Sequence, residues 1–189
     1  MKFNRTTIAA FVLLILISAL YRAVPGHFWG FTPQIAMAVF GGSVIKDRKL
    51  SFALPLLSLF ISDLIYQVFY INGLGSIPGF YEGQLMNYVL FASLTVVGFF
   101  VRERKVVSIL AGAVAAPTIY FLISNFLVWM EGGGYARPRT SSGLFMCYTD
   151  GLPFYSNSLI GTVFFCAILF GGYQLVRRFI FGSDQAISA

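Results

Sequence analysis

Six apolar runs, at residues 8–24, 32–45, 50–71, 84–101, 106–129 and 156–181, take up most of a 189-residue chain. A helix needs about 20 residues, with a range of about 17–25, to cross roughly 30 Å of hydrocarbon. Five runs reach that range. The second is shorter and either begins inside the preceding loop or re-enters. Charged residues make up only 11% of the chain, against about a quarter in soluble domains. Lipid absorbs such a surplus of apolar side chains, whereas a soluble core of this size does not. The expected fold is an all-α polytopic membrane protein, one domain over residues 1–189 with six transmembrane helices.

The basic residues set the expected orientation. Lys2 and Arg5, then Lys46, Arg48 and Lys49, then Arg102, Arg104 and Lys105, then Arg177 and Arg178 fall at alternate ends of successive runs. Arg22, Arg137 and Arg139 are left for the other side. Lys and Arg accumulate in cytoplasmic connections, so both termini are expected in the cytoplasm. The first run, behind Lys2 and Arg5, has the outline of a signal peptide. Cleavage after Ala19 or Ala23 would place Ile17 or Tyr21 where a small residue is needed, so the run is expected to stay as a helix. The net charge of +6 is dispersed over short clusters with no basic stripe, and nucleic acid is not an expected partner.

Within the runs, the costly polar groups gather at the non-cytoplasmic end. Asp63 lies about 20 Å along the third run from Leu50. Gln67 follows one turn on, Gln84 and Asn87 open the fourth run, Asn125 and Trp129 close the fifth, and Asn157 opens the sixth. An Asp at the bilayer centre costs about 2.5–3.5 kcal/mol on insertion scales. Such groups face the bundle interior or water, which implies a polar cavity opening outward. Asp63, Gln67, Asn87, Asn125 and Asn157 would hydrogen-bond a ligand there, with Trp129 and Tyr148 flanking it. An ionised Asp63 favours a cationic or donor-rich ligand. Against this stands a plainer reading, in which Asp63 bonds to Ser62 or Asn87 and fastens two helices. Gln84 and Asn157 then act as caps or interface residues. Trp29, Tyr66, Tyr70, Tyr81, Trp129, Tyr135, Tyr148 and Tyr155 in part form a headgroup belt.

Several chemistries find no motif. The chain has no G-x-x-x-x-G-K-[ST], no H-E-x-x-H and no G-x-S-x-G. His27 is its one histidine, and Cys147 and Cys166 lack C-x-x-C spacing, so no metal site or cofactor is expected. Asp63 has no second acid beside it in the spans for acid–base work, and no catalytic residue is assigned.

Three stretches resemble a known family. FTPQIAMAVFGGSVIKDRKLSFALPLLSLFISD (residues 31–63), NFLVW (125–129) and GLFMCYTDGLPFYSNSLIGTVFF (143–165) are similar to signatures of a bacterial family of uncharacterised small membrane proteins. That family is akin to the substrate-binding S components of energy-coupling factor transporters. The resemblance implies a six-helix S-component-like bundle in the bacterial cytoplasmic membrane. It further implies a vitamin-like ligand near the outer face and docking to a transmembrane coupling subunit that carries two ATPases. S components often carry Ala-x-x-x-Ala on helix one for that subunit, and Ala19 with Ala23 match the spacing. Small residues four apart let helices approach closely, and Ala111 with Ala115 show the same pattern. The expected function is a substrate-binding subunit for small-molecule uptake. The alternatives are a cell-envelope scaffold without a ligand, or an intramembrane enzyme.

Overall fold

The computed structural model describes residues 5–23 and 30–186, with side chains at 12–22 and 30–178. His27 and Trp29 lie outside the described residues. The described residues form six helices: α1 Arg5–Ala23, α2 Gln34–Val44, α3 Arg48–Ile71, α4 Gln84–Phe99, α5 Val106–Glu131 and α6 Ser141–Ala186. No strand occurs among them.

Local chemistry accounts for several boundaries. Asp47 caps α3, its carboxylate accepting from the backbone N–H groups of Lys49 and Leu50 at 2.9 and 3.2 Å; such a cap satisfies donors that a helix leaves open at its start. Gly132, with φ +76°, ends α5 in the left-handed conformation that glycine adopts without strain.

The core is built around α2. Every residue of this helix except Ser43 is buried, and it packs against α3, α4, α5 and α6. It crosses α4 backbone to backbone: a Cβ on Gly42 would meet the Thr95 carbonyl and the Gly98 Cα, and one on Gly98 would meet the Val39 carbonyl. Only glycine at both positions allows this approach. Eleven residues at 1.5 Å each give α2 a length of about 16 Å, roughly half the hydrocarbon thickness.

Three helical stretches are long and apolar enough to cross a membrane: Arg48–Ile71, Val106–Glu131 and Ser141–Arg178. The part of α1 with described side chains, Val12–Arg22, together with α2 and α4, counts among the shorter apolar helices. Among the residues with described side chains, then, three of the six expected spans qualify by length and composition. The long helices leave apolar side chains exposed at helical spacing, as with Leu57, Phe60, Leu64 and Val68 on α3, a surface suited to lipid.

α6 departs from the sequence reading. Its apolar run opens at residue 156, but the helix begins at Ser141. Residues 141–155 look like a loop because Ser, Gly, Asp and Pro interrupt their apolar character. In the structure the Thr140 hydroxyl accepts from the Gly143 N–H at 3.1 Å, starting the helix there. Packing against α5 carries it on: Cys147 is buried, and a Cβ on Gly151 would strike the Asn125 side chain.

The basic residues around 46–49, 102–105 and 177–178 collect at one end of the bundle, where Arg177 pairs with Glu103 at 2.8 Å and Arg48 lies 3.9 Å from the centre of the Phe99 ring. The opposite end holds the candidate site.

Candidate functional site

Asp63 sits on the buried face of α3, 3% exposed. Both carboxylate oxygens are occupied from within the protein. Oδ1 accepts from Arg22 Nη1 at 2.5 Å, and Oδ2 accepts from Gln84 Nε2 and the Tyr88 hydroxyl, each at 2.6 Å. Arg22 also donates to the Ser62 hydroxyl. Its guanidinium lies 5.4 Å from the Tyr66 ring centre, and the Tyr66 hydroxyl donates to the Arg22 carbonyl at 2.6 Å. This network ties α1, α3 and α4 together. Burying a charge is tolerable when it is paired and fully hydrogen-bonded, and that condition is met here. The sequence expectation that an ionised Asp63 favours a cationic or donor-rich ligand meets a carboxylate whose charge Arg22 already balances.

The 72–83 loop is clamped onto this network. Gln67 Oε1 accepts from the backbone N–H groups of Gly79 and Phe80 at 3.0 and 3.3 Å, and Gln84 Nε2 donates to the Gly79 carbonyl at 2.9 Å. A Cβ on Gly79 would run into the Asp63 carbonyl, so this close approach requires glycine.

Beside the network lies a cavity of about 230 Å³. Its walls come from every helix: Arg22, Asp63, Tyr66, Asn87, Phe91, Tyr120 and Ser158, with Gly79 and Tyr81 from the loop and Gln34 and Ile35 from the first turn of α2. Asn87 accepts from the Tyr120 hydroxyl at 2.8 Å and donates to the Tyr81 hydroxyl at 3.3 Å. Burial, and then the nearby Asp63 carboxylate, pushes the Tyr81 pKa up; its hydroxyl keeps its proton at neutral pH. Gln34 is completely buried. Its Nε2 donates to the Ser18 carbonyl and the Ser58 hydroxyl at 3.4 and 3.5 Å, while its Oε1 has no hydrogen-bond partner.

The polar residues expected from the sequence to hold a ligand divide in two. Asp63 and Asn87 line the cavity, and Gln67 pins the loop beside it. Asn125, Trp129 and Tyr148 stand elsewhere, in a clasp between α5 and α6. Asn125 Nδ2 donates to the Phe121 carbonyl at 2.8 Å, Trp129 Nε1 to the Pro138 carbonyl at 2.9 Å, and the Tyr148 hydroxyl to the Leu122 carbonyl at 2.9 Å. Asn157 is half-buried on α6 next to Ser158, which reaches the cavity. Ala19 is wholly buried because α1 turns this position inward where it packs on the bundle, so it presents no face to a partner here. The side chain of Ala23 lies outside the described residues.

Arg22, Gln34, Tyr88 and Tyr120 were not singled out from the sequence. Arg22 did carry a signal: a lone cation ends one apolar helix at the same end where a lone acid sits in another. Among the described residues no group of three His, Cys, Asp or Glu side chains could hold a metal ion. The chemistry the cavity offers is hydrogen bonding between aromatic walls.

A family model described as a family of unknown function (DUF6580) matches residues 2–185. No curated protein and no solved structure matches the chain.

Proposed function

The chain belongs to this family of unknown function, DUF6580, and from its geometry we propose that it is a membrane-embedded binding subunit for uptake of a small molecule, working like the S components of energy-coupling factor transporters. One observation carries the reading: a cavity of about 230 Å³, walled by tyrosines, an amide and an internally neutralised ion pair, at the end of the bundle remote from the basic clusters. Ligand sites combine apolar or aromatic walls with a few convergent polar groups, and this cavity has that composition. In the proposed arrangement all six helices serve a bundle in the bacterial cytoplasmic membrane, with the basic end and both termini inside. The cavity then faces outward, and the 72–83 loop is the element that would open and close over the ligand. A coupling subunit with two ATPases would supply the energy for release inward. The cavity is assigned no catalysis, because the carboxylate that could act as a base is held in its ion pair.

The scaffold reading draws support from one observation, that Asp63 is fully satisfied without a ligand. The two readings separate on purification in mild detergent followed by mass spectrometry. The binding subunit releases a stoichiometric small molecule on denaturation, and Asn87→Ala loses it; a scaffold releases none.

A further inference from the structure

A buried acceptor without a donor is costly, on the order of 1–3 kcal/mol, and Gln34 Oε1 is such an acceptor. Its orientation is set from behind. The Ser18 carbonyl can only accept, so it must face the amide nitrogen, and the oxygen is left on the other side. Gln34 is also the first residue of α2 and lines the cavity together with Ile35. Pro33, which precedes it, provides no side-chain cap. The first N–H groups of a helix lack intrahelical partners and favour acceptors. The helix start that borders the cavity therefore carries a buried oxygen that asks for a donor, and the backbone beside it asks for an acceptor.

We propose that this corner of the cavity is a subsite for a planar, uncharged amide-type edge, in which a C=O and an adjacent N–H belong to one group, as in a carboxamide, lactam or ureido ring. The inference rests on the binding-subunit reading and adds the ligand's chemical class. A carboxylate supplies acceptors alone and leaves Gln34 Oε1 unmet. An ammonium supplies donors alone and would sit beside Arg22. Arg22 and Asp63 cancel, so the cavity brings no net charge for a charged ligand to balance. Phe91 and Tyr120, whose rings pack against each other with centroids 5.0 Å apart, give the cavity an aromatic wall for a flat ring to lie against. The volume is below the roughly 300–1,000 Å³ of drug-sized sites, which limits the occupant to a small ring system.

The test uses the full chain in detergent, dialysed to remove bound molecules, and titrates it calorimetrically with benzamide, uracil, benzoate and benzylamine. The amide-edged pair is expected to bind at least about tenfold more tightly than the charged pair, and Gln34→Met to weaken the amide-edged pair by about tenfold. Tighter binding of benzoate or benzylamine, weakened by Asn87→Ala, overturns the subsite but leaves the binding subunit standing. Binding of none of the four, with no co-purified molecule, overturns both.

Discussion

Two polar clusters sit at the same end of this bundle and do different work. Around Asp63, side chains meet side chains across long stretches of sequence, as with Arg22 and Asp63, 41 residues apart. Around Asn125, Trp129 and Tyr148, each side chain meets a backbone carbonyl of α5 or of the turn that follows it. The first arrangement leaves a hollow, because groups on several helices converge without filling the space between them. In the second, a side chain bonded to the neighbouring backbone closes the gap it spans. Polar residues at one depth in a membrane bundle can thus serve either as wall or as rivet. The partner, side chain or backbone, separates the two.

Breaking the ion pair should give the largest effect. Asp63→Ala or Arg22→Ala leaves a buried charge unpaired, with an expected loss of about 3–5 kcal/mol in unfolding experiments in detergent. The paired replacement Arg22→Met with Asp63→Leu should restore most of it, since well-packed apolar residues often substitute for a buried pair without cost. If each single change is as mild as Tyr148→Phe, the two clusters do not differ in kind. Next comes Gly79→Val, whose side chain must push the loop off α3. A loss of about 1–3 kcal/mol is expected, with faster proteolysis confined to residues 72–83. A smaller contrast separates wall from rivet directly. On the binding-subunit reading, Tyr120→Phe should lose the co-purified molecule, as read by mass spectrometry, and lower stability by about 0.5–1.5 kcal/mol through the lost bond to Asn87. Tyr148→Phe should retain the molecule while lowering stability by about 0.5–1.5 kcal/mol. Reversal of that pattern would move the site to the α5–α6 clasp. The smallest effect belongs to Arg137→Gln. The Arg137–Asp150 pair, although two-pronged at 2.8 and 2.9 Å, is solvent-screened, and its loss should leave both melting temperature and ligand content unchanged.

The sequence was informative about depth and poor about direction. Counting residues from Leu50 located Asp63 along its helix, and the apolar runs anticipated helices close to α3 and α5. Which way a side chain points around the helix axis depends on packing, and a hydrophobic count does not carry it. For that reason Asn125 was grouped with Asn87, although they face different neighbours. Ala19 was likewise read as a docking surface when α1 turns it inward. The start of α6 was missed because a helix held by a partner helix tolerates Gly151 and Pro153, which as isolated sequence signal a loop. The short second run was legible as an oddity: an amide, Gln34, opening an otherwise apolar segment too brief to span. Its meaning needed the other helices, because a buried acceptor is recognisable only once its surroundings are known.

The brevity of α2 has a consequence for how such a protein could diversify. Enclosed by its neighbours and about half a bilayer tall, it behaves as a piston head stopped partway up a cylinder, and the empty stroke above it is the chamber. Moving its first turn by a few residues would deepen or shrink that chamber and leave the surrounding tyrosines where they are. On the proposed binding reading, capacity and selectivity are therefore separable: one is set by where a buried helix begins, the other by the side chains that ring it.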